Sequence, residues 1–181
     1  ALLHPEYKEK VLKEIDIYFK DPSGITLDSL NKMDYVTAFI KETLRMYSPA
    51  PVSLQRVALR DHTLGDLKIK KGTILIGGYL MNNCDPRYHD DSDSFDPERW
   101  LRPSKTLDSV NGNAFVYTPF SVGGRNCIGQ HVGMNEARII LCLFLKKFDY
   151  ENANKNYQLR MTRKFIYEPE ERIRYKLTPK S

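Results

Sequence analysis

The chain has 181 residues, 41% of them apolar and 28% charged, with a formal net charge of +5. Those proportions belong to a globular polypeptide of one ordinary domain with a real core, and they exclude disordered and fibrous classes. The longest apolar run, Ile139 to Leu145, is far shorter than the about 20 residues of a membrane-spanning helix, and three irregularly spaced cysteines (Cys84, Cys127, Cys142) exclude a disulfide framework.

From the amino end, Tyr7, Val11, Leu12, Ile15, Tyr18 and Phe19 recur as one face of a helix over 5–20. Pro5 suits its first position, and Asp21-Pro22-Ser23-Gly24 ends it. The charged, amphipathic start is unlike a secretory signal, and the absence of an initial methionine reads as a partial or processed sequence. A second helix is expected from Asp34, read as its cap, to about Tyr47, where Ser48-Pro49-Ala50-Pro51 stops it. From Val52 to Leu80 the apolar spacing shortens to that of strands. Val57 alternates with Leu59, Leu67 with Ile69 and, after a Lys71-Gly72 turn, Ile74 with Ile76.

Residues 82–112 are rich in Asp, Pro, Asn and Ser and read as a long irregular stretch, usually functional in a compact chain. The glycine-rich loop Gly123 to Gly129 then feeds a helix from about Gln130 to Lys147, with Lys146 and Lys147 at the end that favours cations. Two tail strands carry Leu159 with Met161, and Ile173 with Tyr175 and Leu177. Helices therefore alternate with short strands in one mixed α and β fold, and no repeat or linker divides it.

The chemistry-bearing segment is Phe120-Ser-Val-Gly123-Gly-Arg125-Asn-Cys127-Ile-Gly129. A metal-binding thiolate must be deprotonated near neutral pH, which an ordinary cysteine mostly is not. Arg125 supplies positive charge two residues away, the glycines open the backbone around the sulfur, and the following helix brings its positive end. The segment matches, at every fixed position, the pattern Phe-x-x-Gly-x-Arg-x-Cys-x-Gly, and so resembles the haem-binding signature of the cytochrome P-450 superfamily. Met134-Asn135-Glu136-Ala137-Arg138 continues the match, while Gly133 stands where many relatives carry alanine.

The resemblance covers nearly the whole chain, 1–181. It implies the carboxyl-terminal part of a single mainly α cytochrome P-450 domain, most like the microsomal fatty-acid hydroxylase branch, without the central helix that carries the acid–alcohol pair for oxygen activation. By it, Cys127 is the thiolate ligand of a haem b iron and Arg125 and Arg56 contact haem propionates. Phe120 packs beside the sulfur, and Gly129 allows close approach of the next helix. The Glu42-Thr-Leu-Arg45 pair, one helical turn apart, joins Arg99 of Phe95-Asp-Pro-Glu-Arg99-Trp100 in a buried structural network. Trp100 stands there in place of the usual phenylalanine, a conservative aromatic change. The segments Pro51 to Gln55 and Lys164 to Glu168 resemble those lining the substrate pocket.

The implied activity is a haem-dependent monooxygenase acting on a lipophilic substrate, with electrons from a flavoprotein reductase or iron–sulfur donor. Arg125, Arg138, Lys146 and Lys147 are the expected basic face for that donor. The same resemblance places the intact protein at the cytosolic face of the endoplasmic reticulum membrane, held there by a region upstream, with no nucleic-acid partner. The present segment alone is expected neither to fold stably nor to turn over. Two other readings stay open: a haem-thiolate isomerase or dehydratase needing no reductase, and a truncated non-catalytic interaction subunit. A zinc site from Cys84, His89, Cys127 and His131 is weaker because its spacing is loose.

Overall fold

The structure is a computed structural model and describes residues 4–19, 25–102, 115–154, 157–163 and 166–180. Pro5–Tyr7 forms a 3-10 turn that leads directly into helix α1, Lys8–Tyr18. The turn expected at 21–24 to end this helix lies outside the described residues. Helix α2, Leu27–Asn31, starts on a reciprocal cap between Thr26 and Ser29, each side chain accepting from the other's backbone N–H.

Helix α3 runs Asp34–Met46, and Asp34 is its first residue, not its cap. Met33 occupies the cap position without a side-chain bond. The acceptor comes instead from α1, where the Glu14 carboxylate takes the N–H of Tyr35 at 2.9 Å and of Val36 at 2.7 Å. Those two amides would otherwise be unpartnered donors at the positive end of the helix.

Helix α4, Tyr79–Asn83, corrects the expectation that strand pattern continues to Leu80. The longest helix, α5, spans Gln130–Lys147, the same bounds that the sequence suggests. Val11, Ile15 and Phe19 from the α1 segment pack with Val36, Phe39 and Ile40 of α3 and with Cys142 and Leu145 of α5. Each fully buried aliphatic side chain of this kind contributes about 1.5–3 kcal/mol relative to exposure.

The strands form four separate antiparallel pairs. β1 (Arg56–Val57) pairs with β4 (Ile74–Leu75), and β2 (His62–Leu64) pairs with β3 (Leu67–Ile69) across the Gly65 turn. The Lys71-Gly72 turn is present, with Gly72 at φ 87°. β5 (Phe148–Asn152) pairs with β8 (Tyr175–Pro179), and β6 (Met161–Arg163) with β7 (Tyr167–Pro169). β5 and β7 have no counterpart in the expected pattern, and Leu59, Ile76, Leu159 and Ile173 fall outside the strands assigned to them. Within the stretch read as irregular, Asn82 and Asn83 close α4 and Pro97–Trp100 forms a 3-10 turn, while 103–112 lie outside the described residues.

Candidate functional site

The cysteine loop is closed by its own backbone. Ser121 N–H donates to Thr118 C=O at 3.1 Å, Asn126 N–H to Gly123 C=O at 3.1 Å and Cys127 N–H to Phe120 C=O at 2.9 Å. Gly123 turns at φ 83°, and a Cβ added there would meet nothing within 4 Å, so its requirement is conformational. Ser121 also sits at positive φ, 64°, with its hydroxyl 2.7 Å from the Tyr79 hydroxyl of α4. The loop delivers an exposed, free Cys127 two residues before Gly129, the cap position of α5, so the positive helix end lies beside the thiol.

Cys127 opens onto a cleft of about 410 Å³. Leu44, Pro49, Val52, Leu54 and Phe120 give it apolar walls, and Arg56 and Arg125 bring two guanidiniums to the same space. Arg56 is steadied by the carbonyl of Gln55 at 3.1 Å. The neighbour of Gly129 is the sulfur: a Cβ there would stand 3.8 Å from Cys127 Sγ. The side chain that approaches the following helix is Phe120, whose ring a Cβ at Gly133 would meet at 3.9 Å. Val52 and Leu54 come from the proline turn, and Pro49 C=O accepts the Tyr167 N–H at 2.8 Å, so the tail hairpin hangs from the same turn. Lys164 and Phe165 lie outside the described residues.

Beneath the loop, Glu42, Arg45 and Arg99 meet in the interior, with exposures of 0%, 0% and 8%. Arg45 grips Glu42 through two bonds, Nε at 3.0 Å and Nη2 at 2.9 Å, and Arg99 Nε donates to the same carboxylate at 3.0 Å. The remaining guanidinium donors satisfy carbonyls of Ser92 and Ser94 from Arg45, and of Asp90, Asp91 and Ser94 from Arg99. Irregular backbone has few partners of its own, so the arginines supply them.

Two further donors complete the carboxylate: Asp96 N–H at 3.0 Å and the Trp100 indole N–H at 2.9 Å. The second was not visible in the sequence, where Trp100 reads as a conservative exchange. Burial alone would push the Glu42 carboxyl up. The Arg45 guanidinium, the Asp96 N–H and Arg99 outweigh it and hold the group below its ordinary value.

Two of the four side chains of the zinc alternative have partners elsewhere. Cys84 Sγ contacts the Arg45 carbonyl at 3.6 Å and buried His89 faces the Val116 carbonyl at 3.3 Å. Among the described residues no three His, Cys, Asp or Glu side chains are grouped to hold a metal ion. The expected basic face is also divided. Lys146 pairs with Asp16 at 2.5 Å at the far end of α5, about 25 Å from its start by helix rise. Arg138 instead lines a second cavity of about 470 Å³ with Lys41 and His131, one that Phe120 also lines. No described helix is long and apolar enough to cross a membrane.

A family model described as Cytochrome P450 matches residues 2–177. Among curated relatives, cytochrome P450 82A1 of Pisum sativum is 38% identical over 153 residues, 84% of this chain and 28% of that protein. Cytochrome P450 4V2 of Rattus norvegicus is 35% identical over 176 residues, 96% of this chain and 32% of that protein. Cytochrome P450 3A5 of Homo sapiens is 30% identical over 171 residues, 94% of this chain and 33% of that protein. The chain spans about a third of the length of the curated relatives it matches.

Proposed function

The chain belongs to the cytochrome P450 family, and on that premise we propose that it is the carboxyl-terminal portion of a haem-dependent monooxygenase that inserts one atom of dioxygen into a lipophilic organic substrate. The observation that carries the proposal is the coexistence of a thiol, two guanidiniums and apolar walls in one cleft. A haem requires that donor set: a soft axial ligand for iron, cations for two propionates and an apolar bed for the ring. Cys127 would hold the iron, and Arg125 and Arg56 the propionates. When bound, the haem supplies an iron centre at which dioxygen is reduced and cleaved.

The chain's own residues do the rest. The Phe120–Cys127 backbone bond fixes the sulfur's position, the adjoining helix turns its positive end towards that position, and the Phe120 ring lines both cavities. Glu42, Arg45 and Arg99 hold the irregular backbone below the loop. Val52 and Leu54 offer an apolar wall to a lipophilic substrate. Electrons would come from a flavoprotein or iron–sulfur protein approaching the Lys41 and Arg138 cavity, and the intact protein would work at the cytosolic face of the endoplasmic reticulum. The test is turnover of the full-length protein with a reductase under isotopically labelled dioxygen. Label in the product supports monooxygenation, whereas reductase-independent rearrangement without label supports an isomerase or dehydratase.

A further inference from the structure

Trp100 touches both the buried Glu42 carboxylate and Tyr117, in the segment leading into the cysteine loop. We propose that it is a positioning residue for that loop, acting through its indole N–H on Glu42 and its ring on Tyr117. The inference rests on the reading of Cys127 as the haem ligand.

Glu42 Oε2 receives the indole N–H at 2.9 Å beside Arg45 Nε at 3.0 Å. A phenylalanine in this place offers no donor, so one lone pair of a buried anion would lose its partner. The other side of the indole lies against Tyr117, with ring centroids 4.5 Å apart and planes tilted by 56°. The Tyr117 hydroxyl donates to Lys41 C=O at 3.1 Å, one residue before Glu42, and the Lys41 ammonium stands 5.6 Å from the indole centre. Thr118 N–H, next in the chain, is held by Asn83 Oδ1 at 2.9 Å. Thr118 C=O then receives Ser121 N–H, and Phe120 C=O receives Cys127 N–H. A short run of bonded and packed groups therefore leads from the carboxylate through Trp100 to the backbone that presents the sulfur.

The experiment uses the full-length protein carrying Trp100→Phe, which keeps a ring and deletes the N–H, and Trp100→His, whose Nε2 can stand where the indole nitrogen stood. The readout is the red-shifted absorption band of the reduced carbon monoxide complex, followed as pH falls. Glu42 has a depressed folded value, so its contribution is present above the ordinary carboxylate range and is lost as pH falls through that value. Arg45 and Arg99, Lys41, His4 and His89, and the Tyr47, Cys84 and Tyr117 side chains also face this region and are common to all three proteins. Deleting one donor to the charged form raises the folded value, so Trp100→Phe should lose the band at a pH about one unit higher than the parent. Trp100→His should retain haem at neutral pH better than Trp100→Phe. A purely packing role would destabilise Trp100→Phe by the same amount at every pH, whereas loss of a donor to the ionised carboxylate gives a deficit in urea midpoint that shrinks as Glu42 is protonated; a pH-independent deficit overturns the inference. It is equally overturned if histidine rescues nothing. A parent without the band removes the thiolate reading and this inference with it, whereas a parent with the band and an unmoved variant removes the inference alone.

Discussion

Replacing Glu42 by alanine isolates the energetics of the buried charges. Five donors then lose their acceptor: Nε and Nη2 of Arg45, Nε of Arg99, the Trp100 indole and the Asp96 amide. Both guanidiniums remain tied to backbone carbonyls of the 90–94 stretch, so they stay inside without an anion. Removing one partner of a buried pair costs about 3–5 kcal/mol, against a typical domain stability of about 5–15 kcal/mol. In the full-length protein the urea midpoint should therefore fall by on the order of 1 M or more, and the haem bound per polypeptide should drop with it. An apolar triple replacement, Glu42→Leu with Arg45→Met and Arg99→Met, should not restore the midpoint. Carbonyls of Asp90, Asp91, Ser92 and Ser94 would lose the donors that the arginines provide. A Glu42→Ala protein with the parent's midpoint and full haem content would refute the reasoning.

Other substitutions separate conformation, capping and charge. Gly123→Ala forces a Cβ onto φ 83° and should cost about 1–2 kcal/mol, while Gly124→Ala, equally open but not at positive φ, should be nearly silent in thermal unfolding. Glu14→Ala removes the acceptor of two α3 amides and should cost about 1–2 kcal/mol in the same assay; an unchanged melting temperature would show that water replaces the carboxylate. Arg125→Ala and Arg56→Ala should each release haem to an excess scavenger protein about tenfold faster than the parent, the effect of one charge-assisted bond. Equal rates would remove these arginines from the cofactor site.

Periodicity made the helical core legible. Val11, Ile15, Val36, Phe39, Ile40, Cys142 and Leu145 repeat at helical spacing and all enter it. The bounds of α5 were readable because a glycine loop precedes it and two lysines end it. Capping of α3 was not, since its acceptor is Glu14, on another helix. The five-residue α4 follows two glycines and carries too few turns for a pattern to declare itself. In the site, the motif residues Glu42, Arg45, Arg99, Arg125 and Cys127 stand out by type and order. Their partners do not, because carbonyls of Ser92 or Asp91 have no residue signature and become acceptors only where the folded chain presents them. The indole of Trp100 illustrates the same limit: its identity is plain in the sequence, its bond to Glu42 only in three dimensions.

The proposed activity turns on the chemistry of one sulfur atom. The reduced, carbon monoxide-bound spectrum of the full-length protein should show the strongly red-shifted band of thiolate ligation, and Cys127→Ala should abolish it. If the parent never shows that band, or if the alanine variant keeps it, Cys127 is not the iron ligand.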